Sequence, residues 1–194
     1  MAFEHPFYFL RHGETSWNAA RLCQGQLDSP LNATGWAQAE AAAEALAGEP
    51  IERIVASPLS RARHTAEAVA RRLGLPVSCE AGLMECHLGA WQGTQHGPWL
   101  GEYFRGEADP VNGETFAEFV DRVWTAMVQA AARGPNTLIV AHGGLWIAAR
   151  ERVRVSPEMA RMPNALPLHV TPRDGVWAHR ICGGAEAREA VETY

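Results

Sequence analysis

The sequence predicts an α/β fold, a three-layer αβα sandwich on a mostly parallel sheet with an antiparallel edge hairpin near the C-terminus. Short apolar runs alternate with longer helical patterns, which is typical of helices that cover both faces of a parallel sheet. Two late apolar stretches flank Pro172-Arg173-Asp174-Gly175, which is typical of a hairpin. Since 194 residues are enough for one buried core and short for two, we expect residues 1–194 to form one domain.

Apolar runs bounded by turn residues predict the individual strands. Three buried strands are expected before the hairpin, and two strands form the hairpin itself. Their expected bounds are about 6–10, 51–56, 137–141, 166–171 and 176–181.

Capping residues predict where the helices begin and end. Asn32 is a suitable N-cap for the Ala-rich helix that follows it. Ser57, followed by proline, predicts the start of a second helix that ends at Gly74. Two further helices are expected over about 115–132 and after Gly144.

The segment over about 84–114 is the least regular part of the chain. It is rich in glycine, and long irregular insertions in compact domains are often functional. We therefore expect an insertion on the substrate side, which favours a substrate with an apolar or ring portion. Its large aromatic residues could either pack as ordinary core or line a substrate cleft, and they are Trp91, Trp99, Tyr103 and Phe104.

Composition excludes several function classes. A net charge of -5 argues against a general nucleic-acid-binding protein. All 17 basic residues are arginine, so the chain has neither a Walker A lysine nor an amine for Schiff-base chemistry. The absence of a long apolar run and of a signal-peptide pattern predicts a cytoplasmic protein without a membrane partner. The four cysteines lack C-x-x-C spacing, so we expect free thiols.

Arginine and histidine residues follow three of the predicted strands. The first strand runs into Arg11 and His12, the second precedes Arg61, and the third runs into His142 and Gly143. Because the carboxyl ends of parallel strands meet at one edge, we expect these side chains to cluster. Two guanidiniums match phosphate oxygens, and a glycine permits close approach of the backbone to a ligand. The sequence therefore predicts a phosphate site.

The phosphorus of a phosphoryl group held in this way can be attacked by a neutral imidazole. The arginine charges disfavour the imidazolium, so His12 is predicted to be the nucleophile. The leaving alkoxide needs a proton, and Glu85, at the opening of the irregular insertion, is the candidate donor. Glu14 and Glu114 are alternative donors, and His87 is a further candidate for lining the pocket.

A metal site is the competing interpretation of the same residues. His12, His87, His142 and Glu85 could be ligands, but no H-x-H or H-E-x-x-H spacing supports this. The neighbouring arginines would repel a cation. We therefore predict an enzyme that uses no metal and no cofactor.

Four motifs in order carry a family resemblance. R-H-G-E-T-S-W-N, S-P-L-S-R-A-R-H-T-A, L-M-E-x-x-x-G-x-W-Q-G and V-A-H-G-G resemble those of the histidine phosphatase superfamily, the phosphoglycerate-mutase-like group, in its short branch. The resemblance implies a phosphohistidine at His12 and a proton donor at Glu85. It implies further contacts to the phosphoryl group or substrate from Asn18 and Gln24. The phosphate binders that it implies are Arg11, Arg61 and His142.

Two positions depart from the pattern of the family. Gln92 stands where many relatives have glutamate, and Ile147 stands where many have arginine. Neither is needed for the reaction, so both concern the substrate.

The predicted function is hydrolysis of a small phosphomonoester through the phosphohistidine. A phosphomutase is the alternative, but the chain lacks the length for the extra segments that close the site of the long mutases. A non-catalytic phosphate-binding or phosphoprotein-binding module would have lost the nucleophile or the acid. The resemblance permits sugar phosphates, phosphoglycerates, nucleoside-type phosphates such as α-ribazole phosphate, and phosphoproteins. The sequence leaves the oligomeric state open.

Overall fold

A computed structural model describes residues 3–183, which form a seven-stranded sheet with helices packed on both faces. The strands are β1 (Phe7–Arg11), β2 (Arg53–Ala56), β3 (Val77–Cys79), β4 (Thr137–Ala141), β5 (Arg154–Ser156), β6 (Pro167–Arg173) and β7 (Val176–Ile181). The helices are α1 (Ser16–Ala19), α2 (Ala33–Leu46), α3 (Ser60–Leu73), α4 (Pro98–Tyr103), α5 (Phe116–Ala131) and α6 (Gly143–Arg150).

The strand order is β3-β2-β4-β1-β6-β7-β5, and the first four of these strands are parallel. In the register, Arg11 lies opposite Ala141 on the neighbouring strand β4. Ala56 lies opposite Val140 on the other side of the same strand. The predicted α/β fold is therefore confirmed, and the carboxyl ends of β1, β2 and β4 lie together at one edge of the sheet.

The predicted hairpin consists of β6 and β7, which are antiparallel to each other. Its turn contains Asp174 and Gly175, both with positive φ. On the far side of β7, the short strand β5 adds a further parallel strand at the edge. Neither β5 nor β3 was predicted, because three-residue strands are too short to show a hydrophobic period.

Most of the predicted helix boundaries agree with the structure, and one is wrong. The Asn32 side chain accepts from the Gly35 N–H at 2.8 Å, and Gly74 ends α3 in the left-handed conformation. The predicted start of α3 at Ser57 is incorrect, since the helix begins at Ser60. The Ser57 N–H instead donates to Val140 O at 2.9 Å, which extends the β2–β4 pairing by one residue.

The two faces of the sheet bury separate cores because alternate side chains of a strand point to opposite faces. Phe7 and Phe9 of β1 belong to the cluster that contains residues of α5 and α6. Tyr8 and Leu10 belong to the cluster that contains residues of α2 and α3. This is the three-layer arrangement that the sequence predicts.

The irregular segment over 84–114 contains one short 3-10 helix, Gly89–Trp91, and the short helix α4, joined by turns and loops. Tyr103 is fully buried, and its ring packs against those of Phe104 and Phe116. Trp91 and Trp99 pack on each other with ring centroids 4.6 Å apart. These aromatic residues thus belong to, or pack against, the core on the α5 and α6 face of the sheet. In the part of the chain described here, no helix is long and apolar enough to cross a membrane.

Candidate active site

A cavity of about 550 Å³ opens beyond the carboxyl ends of β1 and β4 and the start of α3. It contains nearly all of the predicted site residues. His142 lies directly behind it, with its ring centroid 5.2 Å from that of His12. The predicted residues that line the cavity are Arg11, His12, Asn18, Gln24, Arg61, Glu85 and Gly143.

His12 has a defined tautomer. Its side chain is 2% exposed, and Nδ1 lies 2.7 Å from the carbonyl oxygen of Gly13. Because a carbonyl only accepts, Nδ1 carries the proton and donates, which leaves a lone pair on Nε2. Burial, followed by the charges of Arg61 and Arg11, holds the pKa of His12 well below its ordinary value. The imidazole is therefore neutral at pH 7.

Arg61 is fully buried in the first turn of α3. Its Nη1 donates to Leu27 O at 2.9 Å and its Nη2 to Gly25 O at 2.7 Å, so both ends of the guanidinium are fixed. Burial lowers the pKa of Arg61 from its ordinary value, while the nearby Glu85 carboxylate opposes that shift.

Arg11 approaches the same cavity from the end of β1. Its Nη1 donates to Met162 O at 2.8 Å. Burial lowers its pKa to about 10, so the group is still a cation at neutral pH. A Cβ at Gly143 would lie 3.4 Å from Arg11 Nε, so the glycine leaves room for this guanidinium.

His142 is fully buried and pairs with Ser57, whose Oγ lies 2.8 Å from Nε2. The N–H of Leu59 donates to the same Oγ at 3.4 Å. This contact favours the Ser57 hydroxyl as the donor to Nε2, which puts the proton of the neutral imidazole on Nδ1. Burial, and then the charge of Arg61, lowers the pKa of His142 well below its ordinary value.

Three buried donors in this cluster have no partner within residues 3–183: Arg11 Nε, Arg61 Nε and His142 Nδ1. A buried donor without an acceptor costs about 1–3 kcal/mol, so three around one cavity require a common explanation. A group that only accepts hydrogen bonds, with several oxygens and a negative charge, satisfies all three. A phosphoryl group has these properties.

Glu85 lies across the cavity in the irregular segment. Its Oε1 accepts from the Cys86 N–H at 3.0 Å, and its Oε2 accepts from the Gly144 N–H at 3.1 Å. A Cβ at Gly144 would come within 2.2 Å of Oε1, so this contact requires glycine. The Glu85 carbonyl accepts from Arg122 Nη2 at 3.2 Å, which fixes the backbone as well.

The alternative acids are engaged elsewhere, and neither lines the cavity. Glu14 accepts from Asn32 Nδ2 at 2.8 Å. Glu114 accepts from the backbone N–H of His87 at 3.0 Å and pairs with Arg122. His87, the other candidate, does not line the cavity either. Among the described residues, no three His, Cys, Asp or Glu side chains are grouped to hold a metal ion.

Asn18 and Gln24 present amide groups to the cavity from one side. The Thr15 N–H donates to Asn18 Oδ1 at 3.1 Å, and Thr15 Oγ1 donates to Gln24 Oε1 at 3.0 Å. With the two carbonyl oxygens occupied, a contact from either side chain to a ligand would be made by its amide N–H groups.

The turn that carries His12 is packed directly against the backbone of α2. The Gly13 N–H donates to Thr65 Oγ1 at 3.0 Å. A Cβ at Gly13 would lie 2.3 Å from the carbonyl oxygen of Gly35, and a Cβ at Gly35 would lie 1.9 Å from that of Glu14. Close backbone contact with α2 therefore helps to set the position of this turn.

Three residues that line the outer part of the cavity were not predicted from the sequence. Arg21 follows α1, His96 precedes α4, and Arg161 lies between β5 and β6. They stand in connections without a strand-end pattern, so no periodic signal marks them. Of the two departures, Ile147 lines the cavity and Gln92 does not. Gln92 instead accepts from the Gln26 N–H at 2.7 Å and supports the loop that binds Arg61.

Sequence comparison places the chain among known proteins. The profile of the histidine phosphatase superfamily (branch 1) matches residues 7–171. Glucosyl-3-phosphoglycerate phosphatase of Mycolicibacterium vanbaalenii is 40% identical over 153 residues, which cover 70% of this chain and 68% of the relative. Metal-independent phosphoserine phosphatase of Arabidopsis thaliana is 36% identical over 184 residues, covering 87% and 76%. A probable phosphoglycerate mutase of Serratia proteamaculans is 37% identical over 147 residues, covering 70% and 68%.

Solved structures of phosphatases also have a fold similar to that of this chain. Mycobacterial glucosyl-3-phosphoglycerate phosphatase complexed with VO3 superposes with a TM-score of 0.77 at 30% identity, covering 93% of this chain and 100% of that one. The α-ribazole phosphatase from Shigella flexneri gives a TM-score of 0.75 at 25% identity, covering 92% and 96%.

Proposed function

The chain belongs to the histidine phosphatase superfamily, and we propose that it hydrolyses a small phosphomonoester through a phosphohistidine at His12. One observation carries the proposal. His12 faces the cavity with a free lone pair on Nε2, and unpartnered buried donors lie close to it on Arg11 and Arg61, which line the cavity, and on His142 directly behind it. This arrangement suits an acceptor-rich dianion and a nucleophile that attacks its phosphorus.

In the first step, His12 Nε2 attacks phosphorus and the bond between phosphorus and the ester oxygen breaks. Arg11, Arg61 and His142 Nδ1 donate to the oxygens that remain on phosphorus and stabilise their charge in the transition state. The ester oxygen leaves with a proton from the Glu85 carboxyl group, so no alkoxide is released.

In the second step, the Glu85 carboxylate takes a proton from water and the water oxygen attacks phosphorus. The bond between phosphorus and Nε2 breaks, which releases inorganic phosphate and restores the neutral imidazole. The protein supplies the positive charge from its own guanidiniums, so the proposed reaction needs no metal.

The same phosphoenzyme also serves a mutase, and one sequence relative carries that name. The distinction lies in the acceptor of the phosphoryl group. The cavity has an open mouth with exposed residues, which favours water. Release of inorganic phosphate from a phosphoglycerate, against formation of its positional isomer, separates the two reactions.

The experiment that tests the proposal compares the wild type with His12→Ala on p-nitrophenyl phosphate in the presence of EDTA. We expect the variant to lose activity by on the order of 10⁴-fold or more, because the nucleophile is removed. Mass spectrometry after a rapid acid-free quench should find a phosphoryl group on the peptide that contains His12.

The circular dichroism spectrum of His12→Ala should match that of the wild type, since His12 lies on a turn outside both cores. Phosphorylation of another residue, or an active His12→Ala protein, would overturn the assignment. Activity that is lost in EDTA and restored by a divalent cation would refute metal independence.

A further inference from the structure

The arginines of this protein divide into two groups by their partners. The structure describes sixteen of the seventeen arginines, and eleven of these are in ion pairs with carboxylates. The five without a carboxylate partner in residues 3–183 are Arg11, Arg21, Arg61, Arg154 and Arg161. Four of these five line the one cavity described above, and only Arg154 does not. The distribution concentrates uncompensated positive charge at the site.

The cavity carries more positive charge than binding of one phosphoryl group requires. Arg11 and Arg61, the two buried guanidiniums, already face it. Arg21 and Arg161 are exposed at the mouth, and Glu85 is the only carboxylate among the lining residues. Two further cations at the mouth therefore have no counter-charge within the cavity.

His96 also lines the cavity and lies next to Arg21. Its backbone N–H donates to Arg21 O at 2.9 Å, and the bridge between Leu22 and Gln95 ties the two segments together. Burial, followed by the charges of Arg21 and Arg161, lowers the pKa of His96. All three residues line the same cavity.

The backbone of Arg21 gives an independent indication. It has φ +55°, directly after the end of α1, where glycine is the usual residue. A bulky residue in this conformation is strained, and such strain is retained at functional positions. The side chain of Arg21 therefore has a use that a glycine would not provide.

We propose that Arg21, Arg161 and His96 form a second anion-binding subsite, and that the substrate is a phosphomonoester whose carbon skeleton carries another anionic group. This group is a carboxylate or a second phosphate. The inference rests on the proposed function for the position of the scissile phosphate. The lining of the cavity also includes the apolar residues Leu100, Phe104 and Ile147, which suit the carbon chain that joins the two anionic groups.

Non-hydrolysable phosphonates test the subsite by affinity alone. Calorimetry with the wild-type protein compares an alkylphosphonate with the ω-carboxy and ω-phosphono compounds of equal length, at three and five carbons. We expect at least one anionic compound to bind about tenfold more tightly than its uncharged counterpart, with the preference declining as salt is added. The compound that binds more tightly identifies the second group as carboxylate or phosphate.

Three variants test which arginines produce the preference for the anionic phosphonates. Arg21→Gly removes the guanidinium and relieves the left-handed backbone, so a structural role predicts no loss. Under the proposal, Arg21→Gly and Arg161→Gln each reduce the preference to below about threefold and leave binding of the alkylphosphonate unchanged. Arg154→Gln is the matched control, because Arg154 is also exposed and has no carboxylate partner within residues 3–183, but lies outside the cavity.

Equal affinities for charged and uncharged compounds in the wild type would overturn the subsite, as would a preference that survives both cavity variants. Turnover of p-nitrophenyl phosphate keeps the two proposals apart. Turnover without a preference refutes only the second subsite, whereas a preference without turnover refutes only the proposed hydrolysis.

Discussion

The floor and the mouth of the cavity are built in different ways. At the floor, His12, Arg61 and His142 are almost fully buried, and hydrogen bonds to backbone or side-chain oxygens fix each of them. At the mouth, Arg21 and Arg161 are exposed, come from connections between elements, and have no carboxylate partner in the described chain. Under the two proposals made above, the floor determines the reaction type and the mouth determines the substrate.

After His12→Ala, the largest loss of activity is expected for Glu85→Gln, since Glu85 lies at the edge of the floor and is the proposed proton donor. The amide keeps one acceptor for the Cys86 or Gly144 N–H but cannot transfer a proton. Hydrolysis of an alkyl phosphate should fall by about 10²-fold or more, and that of p-nitrophenyl phosphate by less than about tenfold, because its leaving group needs little protonation. Steady-state kinetics on both esters measures this. Equal losses on the two esters would assign Glu85 a structural role.

Gly35→Ala tests whether backbone contact holds the nucleophile in place. The new methyl group would overlap with the Glu14 carbonyl oxygen. One of the two backbone segments would have to move to relieve this overlap. Although alanine favours a helix, we expect a net destabilisation of about 2 kcal/mol, a lower Tm by about 4–8 °C and reduced activity. Gly48→Ala is the control, since no atom lies within 4 Å of its Cβ position. Equal Tm values for the two variants would contradict the contact.

Ser57→Ala removes the hydroxyl that fixes the tautomer of His142. We expect kcat to fall about tenfold with little change in KM, because the imidazole remains but loses its orientation. Ser29→Ala is a matched control, since Ser29 is buried and its Oγ has no partner within residues 3–183. A loss of stability without a change in kcat would show that Ser57 only supports the fold.

The smallest effect concerns pH and stability. Burial holds the pKa of His12 and of His142 below the unfolded value of about 6.5. Below that pH the unfolded chain binds more protons than the folded one, so the free energy of unfolding should decrease as pH falls from 7.5 to 5.5. Urea midpoints of the wild type and His12→Asn measure this. The variant should lose less stability on acidification, and an identical loss would place the cause elsewhere.

The sequence predicts the floor because its residues follow buried strands. Arg11, His12 and His142 each stand next to the end of an apolar run, and the parallel sheet brings these ends together. Arg61 was predicted from the same logic, although α3 begins three residues later than its capping signal suggested. The Ser57 error is informative, since a residue suited to an N-cap was used to bind His142.

The mouth was not predictable for a physical reason. Arg21, His96 and Arg161 belong to three connections that meet only after folding, and no period or cap relates their positions. The aromatic residues show the same limit. Their number suggested a substrate cleft, but Trp91 and Trp99 do not line the cavity, and of the four only Phe104 does.

The contact between Gly13 and Gly35 has a consequence for how such a protein can change over generations. A single added carbon at either position would displace the turn that carries the nucleophile, so these two sites tolerate almost no variation. The exposed side chains of Arg21 and Arg161 at the mouth are not held by a close backbone contact of this kind. Under the proposals made above, a lineage can therefore acquire a new substrate by exchanging a few exposed side chains while its chemistry stays the same.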